Sequence, residues 1–303
     1  MKTLSMTVKE AKELLSELGK VFDIARLVDP ARNRIIELDE GNGRLRISDQ
    51  ICHAVWNRGQ RCPNCVSSRA LTSGGRAVKF EYLDGDPYIV VAQYVEVDDY
   101  PCVLETVIMA DKEIYFSETP DAKAFLNQIR RYNQELGKDT LCSAKSREYY
   151  DEQICVLRIG AVVALQLEDY DELEKSDPGP ARKELDQFAS AVIANCRPDD
   201  ILVRYDGGTF LLCCHNLTNE DNLKMLMRRL QSKLQKATED GQTGSSWRIA
   251  ISGCYGPGLA EDLVPEALNA LKQSESNSDL MIAVAFIEPP PIPFPEGDEG
   301  AQN

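Results

Sequence analysis

The first hundred residues alternate between helix-like and strand-like patterns of apolar positions. Residues 5–20 place leucines on one face at helical spacing, which predicts an amphipathic helix. Two strand-like runs follow, "VFDIARLVDP" and "ARNRIIELD", and together they predict a hairpin. A helix, "CVSSRALTSG", then ends at Gly74 and Gly75, and three strands complete the segment: "AVKFEYLDG", "DPYIVVAQYVEV" and "YPCVLETVIMA". The pattern therefore predicts an antiparallel-sheet domain with a helical middle.

A longer amphipathic pattern separates this segment from the rest of the chain. The sequence "DAKAFLNQIRRYNQEL" gives about four helical turns with an apolar face formed by Ala124, Phe125, Ile129, Tyr132 and Leu136. Beyond it the pattern alternates strand and helix as far as "LMIAVAFI", which is typical of an α/β domain with one sheet and covering helices. Within this half, "ILVRYDGGTFLLCC" predicts a hairpin with a two-glycine turn.

Length and charge narrow the class of protein. The chain has 303 residues, enough for about two domains, and ends in the Pro-rich acidic segment "EPPPIPFPEGDEGAQN", for which we expect disorder. A net charge of −15 opposes binding to nucleic acid or to anionic lipid. Apolar runs stay well below the ~18 residues of a membrane span, and the N-terminus lacks the apolar core of a signal peptide. We therefore expect a cytoplasmic protein with neither nucleic-acid nor membrane partners.

Five blocks of the second half resemble the GGDEF family, the fold of diguanylate cyclases. In chain order they are "DTLCSAKSREYYDE", "LEDYDELEK", "RPDDILVRYDGGTF", "IAISGC" and "EALNALKQSESN". The resemblance covers roughly residues 139–284. It implies a nucleotidyl-cyclase-like α/β domain in a bacterial signalling protein associated with cyclic di-GMP.

The same resemblance implies that the catalytic positions are degenerate. The family holds divalent metal with one carboxylate at the position of Asp169 and another in the hairpin turn, as triphosphate chemistry requires. The acidic hairpin positions are Gly208 and Thr209 here, and neither side chain can serve as an anionic ligand. Asp206 replaces the first glycine of the motif, where its charge would repel a triphosphate.

Little else of the family's substrate site remains. Gly207 keeps the turn, and Lys272 stands at the family's phosphate-binding lysine. The guanine-reading positions are changed, because Asp177 replaces an asparagine and Arg182 stands where an aspartate would contact the base. We therefore predict a domain without cyclase activity.

One nucleotide-binding feature of the family survives. Arg197 and Asp200 match the Arg-x-x-Asp site that binds cyclic di-GMP in the family, at the family's distance before the hairpin. The alternative for these two residues is structural, since Arg-Pro-x-Asp also forms a helix exit and turn in which Asp200 caps locally.

The first half carries a cysteine cluster. Cys52, His53, Cys62 and Cys65 lie within fourteen residues, and Cys-x-x-Cys lets two thiolates face one ion, as zinc or an iron–sulfur cluster requires. A redox dithiol at Cys62 and Cys65, or buried thiols without a ligand, are the alternatives. The segment also resembles the Cys-containing PAS-like sensor domains found ahead of GGDEF domains, in agreement with its order of two strands, a helical middle and three strands.

Together these patterns predict four segments: a PAS-like sensor (1–110), a linker helix (111–138), a degenerate GGDEF domain (139–287) and a tail (288–303). We predict a signalling protein, commonly a homodimer in this architecture, whose output is binding of cyclic di-GMP or of a signalling partner. The rival hypotheses are an active cyclase with an atypical motif and an interaction scaffold that binds neither nucleotide nor metal.

Overall fold

The computed structural model describes residues 4–39, 43–57, 59–110, 122–217, 219–239, 247–274 and 281–284. Two units of structure separate between Leu136 and Gly137. The start of the predicted linker (111–121) and the predicted tail (288–303) lie outside the described residues. Within the described part, no helix has the length and apolarity that a membrane span requires.

The first unit contains one sheet built from the strands that the described residues form. They are β1 (Leu4–Met6), β2 (Ile24–Asp29), β3 (Arg34–Leu38), β4 (Leu45–Ile51), β5 (Arg76–Leu83), β6 (Asp86–Val97) and β7 (Tyr100–Met109). The strand order is β1-β6-β7-β2-β3-β4, and β5 also pairs with the long strand β6. The pairs β2–β3, β5–β6 and β6–β7 are antiparallel, as the sequence predicted.

Three α-helices and a 3₁₀ turn accompany this sheet in the described residues: α1 (Val8–Leu18), the turn Cys52–Trp56, α2 (Val66–Ser73) and α3 (Ala122–Glu135). Helix α1 begins at Thr7, whose side chain and that of Glu10 form a reciprocal capping box. It buries Val8 and Ala11, whereas the predicted leucine face is partly exposed. Helix α2 ends at Gly74, whose φ of 60° satisfies the left-handed cap.

Helix α3 buries only part of the apolar face that the sequence predicted. Ile129 and Asn133 are buried, while Ala124 is exposed and the Tyr132 side chain is 62% exposed. Ile129 and Asn133 are four residues apart and therefore share one face. A polar residue thus replaces the predicted aromatic one in the contact, because Asn133 finds hydrogen-bond partners in the sheet unit.

The second unit contains a sheet of order β12-β11-β8-β10-β9. Its strands are β8 (Arg158–Leu167), β9 (Ile201–Asp206), β10 (Thr209–Cys214), β11 (Ile249–Leu259) and β12 (Met281–Val284). Its helices are α4 (Arg147–Tyr149), which continues into a π-helical turn (Tyr150–Ile154), then α5 (Tyr170–Ser176), α6 (Pro178–Ile193), α7 (Glu220–Glu239) and α8 (Ala260–Ser274). This arrangement confirms the predicted mixed α/β architecture.

Strand β8 lies at the centre of this sheet and is buried on both faces. Val163 and Leu165 point to one face, where they belong to a core cluster with residues of α6 and α7. Val162 and Ala164 point to the other face, where they join α8 and the π-helical turn. The two cores fix the end of β8, and hence Asp169 just beyond it, relative to the hairpin β9–β10.

Candidate functional site

The hairpin β9–β10 forms the turn that the sequence predicted. Thr209 lies opposite Asp206 on β9 and opposite Gln166 on the central strand β8. Gly207 has a φ of 46°, in the left-handed region that favours glycine, which explains the retention of glycine there. The described geometry therefore meets the backbone requirements of a tight turn beside the end of β8.

Gly208 has no room for a side chain. A Cβ atom on this residue would lie 2.7 Å from the carbonyl oxygen of Leu167 and 2.8 Å from the Cβ of Tyr170. The carbonyl belongs to the backbone, and Tyr170 is 1% exposed, so neither neighbour yields readily. The backbone amide of Leu167 also donates to the Gly208 carbonyl over 3.0 Å. An acidic residue at this position would have to displace the end of β8.

Asp169, the surviving carboxylate of the predicted metal site, is paired with an arginine. The Arg248 Nε donates to Asp169 Oδ2 over 2.9 Å, and Arg248 Nη2 donates to the other carboxylate oxygen. The same guanidinium lies 3.9 Å from Glu168. The hydrogen bonds and charge of Arg248 lower the pKa of Asp169, and Arg248 contacts both of its oxygens at the surface of the unit. Sequence reasoning missed Arg248, which lies 79 residues away in the chain.

A second arginine ties the hairpin to the start of the unit. Arg204 Nε donates to the carbonyl oxygen of Gly207 over 2.9 Å, and Arg204 Nη1 lies 3.4 Å from Asp139 Oδ2. Both side chains are largely buried, at 15% and 12% exposure. Asp139 also accepts the backbone amides of Leu141 and Cys142 over 2.8 and 3.2 Å. Asp139 and Arg204 therefore hold the turn in place.

The other predicted positions lie apart from any catalytic geometry in the described residues. Asp206 is exposed at the end of β9, and Lys272 is exposed in the last turn of α8. Asp177 joins α5 to α6, where its carbonyl accepts the amide of Ala181 over 3.2 Å. Arg182 donates to the carbonyl oxygen of Thr140 over 2.9 Å. Both residues therefore have hydrogen-bond partners within the second unit, Asp177 through its backbone and Arg182 through its side chain.

Arg197 and Asp200 line a cavity of about 300 Å³. The Asp200 carboxylate accepts the backbone amide of Arg197 over 2.9 Å, which is the local cap that the sequence offered as an alternative. The cavity adds a second guanidinium, because Arg229 of α7 also lines it. Asn216, Met225 and other residues of β10 and α7 complete the walls. The structure therefore combines capping by Asp200 with a cavity that has two cationic groups.

The four predicted metal ligands, Cys52, His53, Cys62 and Cys65, do not form a metal site in the structure. Among the described residues, no group of three or more His, Cys, Asp or Glu side chains is arranged to hold an ion. Cys62 and Cys65 are buried in an apolar cluster with Trp56, and the Lys79 ammonium lies over the Trp56 ring at 5.7 Å. The Lys79 ammonium therefore shares the buried surroundings of these thiols.

The surroundings of the thiols contain buried charges that sequence reasoning missed. Lys79 donates to Glu81 over 2.9 Å, and both side chains are almost fully buried. Nearby, Arg26 donates to the Glu105 carboxylate, and Ser67 donates to its other oxygen over 2.7 Å. The alternation of side chains in "AVKFEYL" and "LETVIM" places Lys79, Glu81 and Glu105 on the inward face of the sheet. This alternation is the sequence pattern from which their burial could have been predicted.

The thiols of this unit differ in acidity. Burial raises the pKa of the Cys65 thiol, but the Arg61 guanidinium, the Ser68 hydroxyl and the Lys79 ammonium outweigh burial and leave that pKa below its ordinary value. The Ser68 hydroxyl donates to Cys65 Sγ over 3.3 Å. Burial raises the pKa of Cys52 and raises that of Cys102 to about 12. Of these three thiols, Cys65 is the one poised as a thiolate.

Comparison with known proteins gives likenesses of structure alone. No protein-family model and no curated protein matches the chain. Vibrio cholerae LapD (S helix-GGDEF-EAL, bound to c-di-GMP) is similar over 55% of this chain, with 18% identity and a TM-score of 0.43; the chain spans 40% of that protein. The coiled coil and GGDEF domain of DgcB from Caulobacter crescentus, in complex with c-di-GMP, is similar over 57% of this chain and 96% of that one, with 12% identity and a TM-score of 0.46.

Proposed function

We propose that the chain is a signalling protein whose second unit is a GGDEF-like domain that binds rather than synthesises a nucleotide. The observation that supports this proposal of a non-catalytic domain is the pairing of Asp169 with Arg248. A carboxylate that accepts two guanidinium hydrogen bonds is a poor ligand for Mg²⁺. The packing around Gly208 supports the same conclusion, because it leaves no room for a side chain at position 208.

The ligand we propose is cyclic di-GMP, bound at the cavity that Arg197 and Arg229 line. Two guanidinium groups offer planar, bidentate donors to phosphate and to the guanine edge. Asp200 adds an acceptor for guanine N–H groups while its cap of Arg197 holds the loop in position. The chain carries a net charge of −15, so this pair of arginines provides local positive charge for an anionic ligand in a protein that is acidic as a whole.

Titration calorimetry of the full chain with cyclic di-GMP tests this site. We expect Arg197→Ala and Arg229→Ala each to weaken binding at least about tenfold, as the loss of a charge-assisted contact does. Arg228→Ala is the matched control, because Arg228 is exposed on the same helix and is not among the residues that line the cavity. Wild-type protein that shows no binding, or an Arg228 variant that loses as much affinity as the other two, would remove this proposal.

Incubation of the pure protein with GTP and Mg²⁺ or Mn²⁺ tests the rival hypothesis of an active cyclase. We expect no cyclic di-GMP above background. Product formation that Asp169→Asn abolishes would establish the cyclase hypothesis and overturn ours. A protein that neither makes nor binds cyclic di-GMP would favour the interaction scaffold.

For the first unit we propose a PAS-like sensor domain, with α3 carrying its change of state onward within a homodimer or to a signalling partner. The hairpin β2–β3, the helical segment and the antiparallel strands β5–β7 support this assignment. Light scattering of the full chain and of an Asn127→Pro variant tests whether α3 contributes to association, because Asn127 is exposed and proline interrupts a helix. A monomeric wild-type chain contradicts the homodimer.

A further inference from the structure

The first unit contains a cavity that the proposed nucleotide site does not use. Its volume is about 440 Å³, within the usual range of small-molecule sites. It lies between α3 on one side and β5 with the start of α2 on the other. Val78 and Phe80 of β5 and Ile129 and Tyr132 of α3 provide its apolar walls, and Asn64 and Arg69 provide polar groups.

A chain of hydrogen bonds fixes the orientation of the Asn64 amide in this cavity. Asn133 Nδ2 donates to the carbonyl oxygen of Phe80 over 3.0 Å, so its Oδ1 must face the other way. That Oδ1 accepts from Asn64 Nδ2 over 2.9 Å. A flip of either amide would place two donors or two acceptors against each other. The Asn64 Oδ1 atom is therefore directed away from Asn133.

Two polar atoms of the cavity residues are buried without hydrogen-bond partners among the described residues: Asn64 Oδ1 and Arg69 Nε. Asn64 is 3% exposed, and its oxygen can only accept a hydrogen bond. Arg69 Nε can only donate, while its Nη2 already donates to the Val78 carbonyl over 3.2 Å. Buried polar atoms of this kind carry a desolvation cost that a ligand would recover.

The chemistry of these groups defines a ligand class. The Asn64 oxygen requires an O–H or N–H donor, and the cationic Arg69 favours a carboxylate acceptor. Phe80 and Tyr132 offer aromatic surface to a ring between these two ends. We propose that this cavity binds a small aromatic carboxylic acid that carries a hydroxyl or amino donor. This site stands independently of the nucleotide site, because all of its residues belong to the first unit.

Calorimetry and saturation-transfer NMR with 4-hydroxybenzoate and 4-hydroxyphenylacetate, added to the full chain, test the proposal. For ligands of about ten heavy atoms we expect a Kd between about 10 μM and 1 mM for at least one of them. Benzoate, which lacks the donor, and phenol, which lacks the carboxylate, should each bind about tenfold more weakly. If neither hydroxy acid binds, or if benzoate binds as well as 4-hydroxybenzoate, the proposal is overturned and ordered water is the better occupant.

A cavity-filling variant tests the location without touching the core. Val78 is 48% exposed and lines the cavity, so Val78→Trp should fill it and weaken binding at least about tenfold. The matched control is Val21→Trp, because Val21 is 68% exposed in the same unit and is not a lining residue. Equal affinity of the two variants would place the ligand elsewhere and sink the proposal. Binding of cyclic di-GMP should be the same in both variants, which separates failure here from failure of the nucleotide site.

Discussion

Replacement of Gly208 by alanine tests the close packing around this residue. The added Cβ would lie 2.7 Å from the Leu167 carbonyl oxygen and 2.8 Å from the Cβ of Tyr170, both closer than such atoms normally approach. Relief requires a shift of the end of β8 or of a buried ring, and overpacking of this kind costs about 1–3 kcal/mol. The backbone of Gly208 is not in the left-handed region, so the cost is steric rather than conformational.

The two tryptophans allow the cost to be measured in the unit concerned. Trp56 lies in the first unit and Trp247 in the second, where it packs against Phe188 at 5.5 Å. In a Trp56→Phe background, fluorescence therefore reports unfolding of the second unit alone. With a urea m-value of about 1–3 kcal/mol/M, we expect Gly208→Ala to lower the midpoint by about 1 M.

Gly179→Ala is the matched control for this measurement. A Cβ on Gly179 would meet Asp177 Oδ1 at 3.7 Å, an ordinary contact. Because Gly179 precedes Pro180, which disfavours the helical region for a residue with a Cβ, we expect Gly179→Ala to lower the stability, but by less than Gly208→Ala does. A Gly208→Ala midpoint that matches the wild type would refute the packing argument. A Gly208→Asp/Thr209→Glu variant that is as stable as the wild type and makes cyclic di-GMP would also refute it, because an acidic residue would then fit at position 208.

Two further predictions concern buried charge. Arg204→Ala should lower the free energy of unfolding of the second unit by about 1–3 kcal/mol. Arg204→Lys should not restore it, because lysine lacks the planar guanidinium that joins Asp139 to the turn. A lysine variant as stable as the wild type in urea melts would contradict this. Alkylation followed by mass spectrometry should give Cys65 a rate midpoint below the ordinary thiol pKa of about 8.5, while Cys102, with a pKa of about 12, shows none up to about pH 10. Because the Cys65 pKa is lowered, the thiolate stabilises the fold above the ordinary thiol pKa, and this contribution is lost as pH falls through the pKa of the folded state. A midpoint of the Cys65 alkylation rate at or above about pH 8.5 would contradict the lowered pKa.

The sequence predicted the elements whose apolar periodicity is strong. The hairpin β9–β10 formed with its two-glycine turn, because runs of apolar residues flank a position that needs positive φ. Strand β4 was missed, since "LRISDQI" carries polar residues on both sides and buries only Leu45 and Ser48. Among the residues that the structure describes, it pairs with β3 alone at the end of the sheet order, where a strand needs fewer apolar residues.

The candidate sites were predicted less completely than the fold. The loss of acids at the turn could be read directly from "RYDGGTF", but the pairing of Asp169 with Arg248 joins residues 79 positions apart. No local pattern reports such a contact. The metal hypothesis rested on cysteine spacing alone, and the buried Lys79 near the thiols comes from a strand that follows the cluster. Charges on the inward face of a neighbouring strand therefore share the surroundings of such a cluster, and cysteine spacing does not report them.

The buried amide pair of Asn133 on α3 and Asn64 before α2 has a mechanical consequence. Asn133 is held at both ends, by the Phe80 carbonyl and by the Asn64 amide, so a shift of α3 along its axis breaks both bonds together. A helix with only apolar contacts could slide by small steps, whereas this one has a defined home position, much as one buried asparagine sets the register of a coiled coil. Any shift of α3 therefore requires the loss of both hydrogen bonds at once, which disfavours positions close to the observed one.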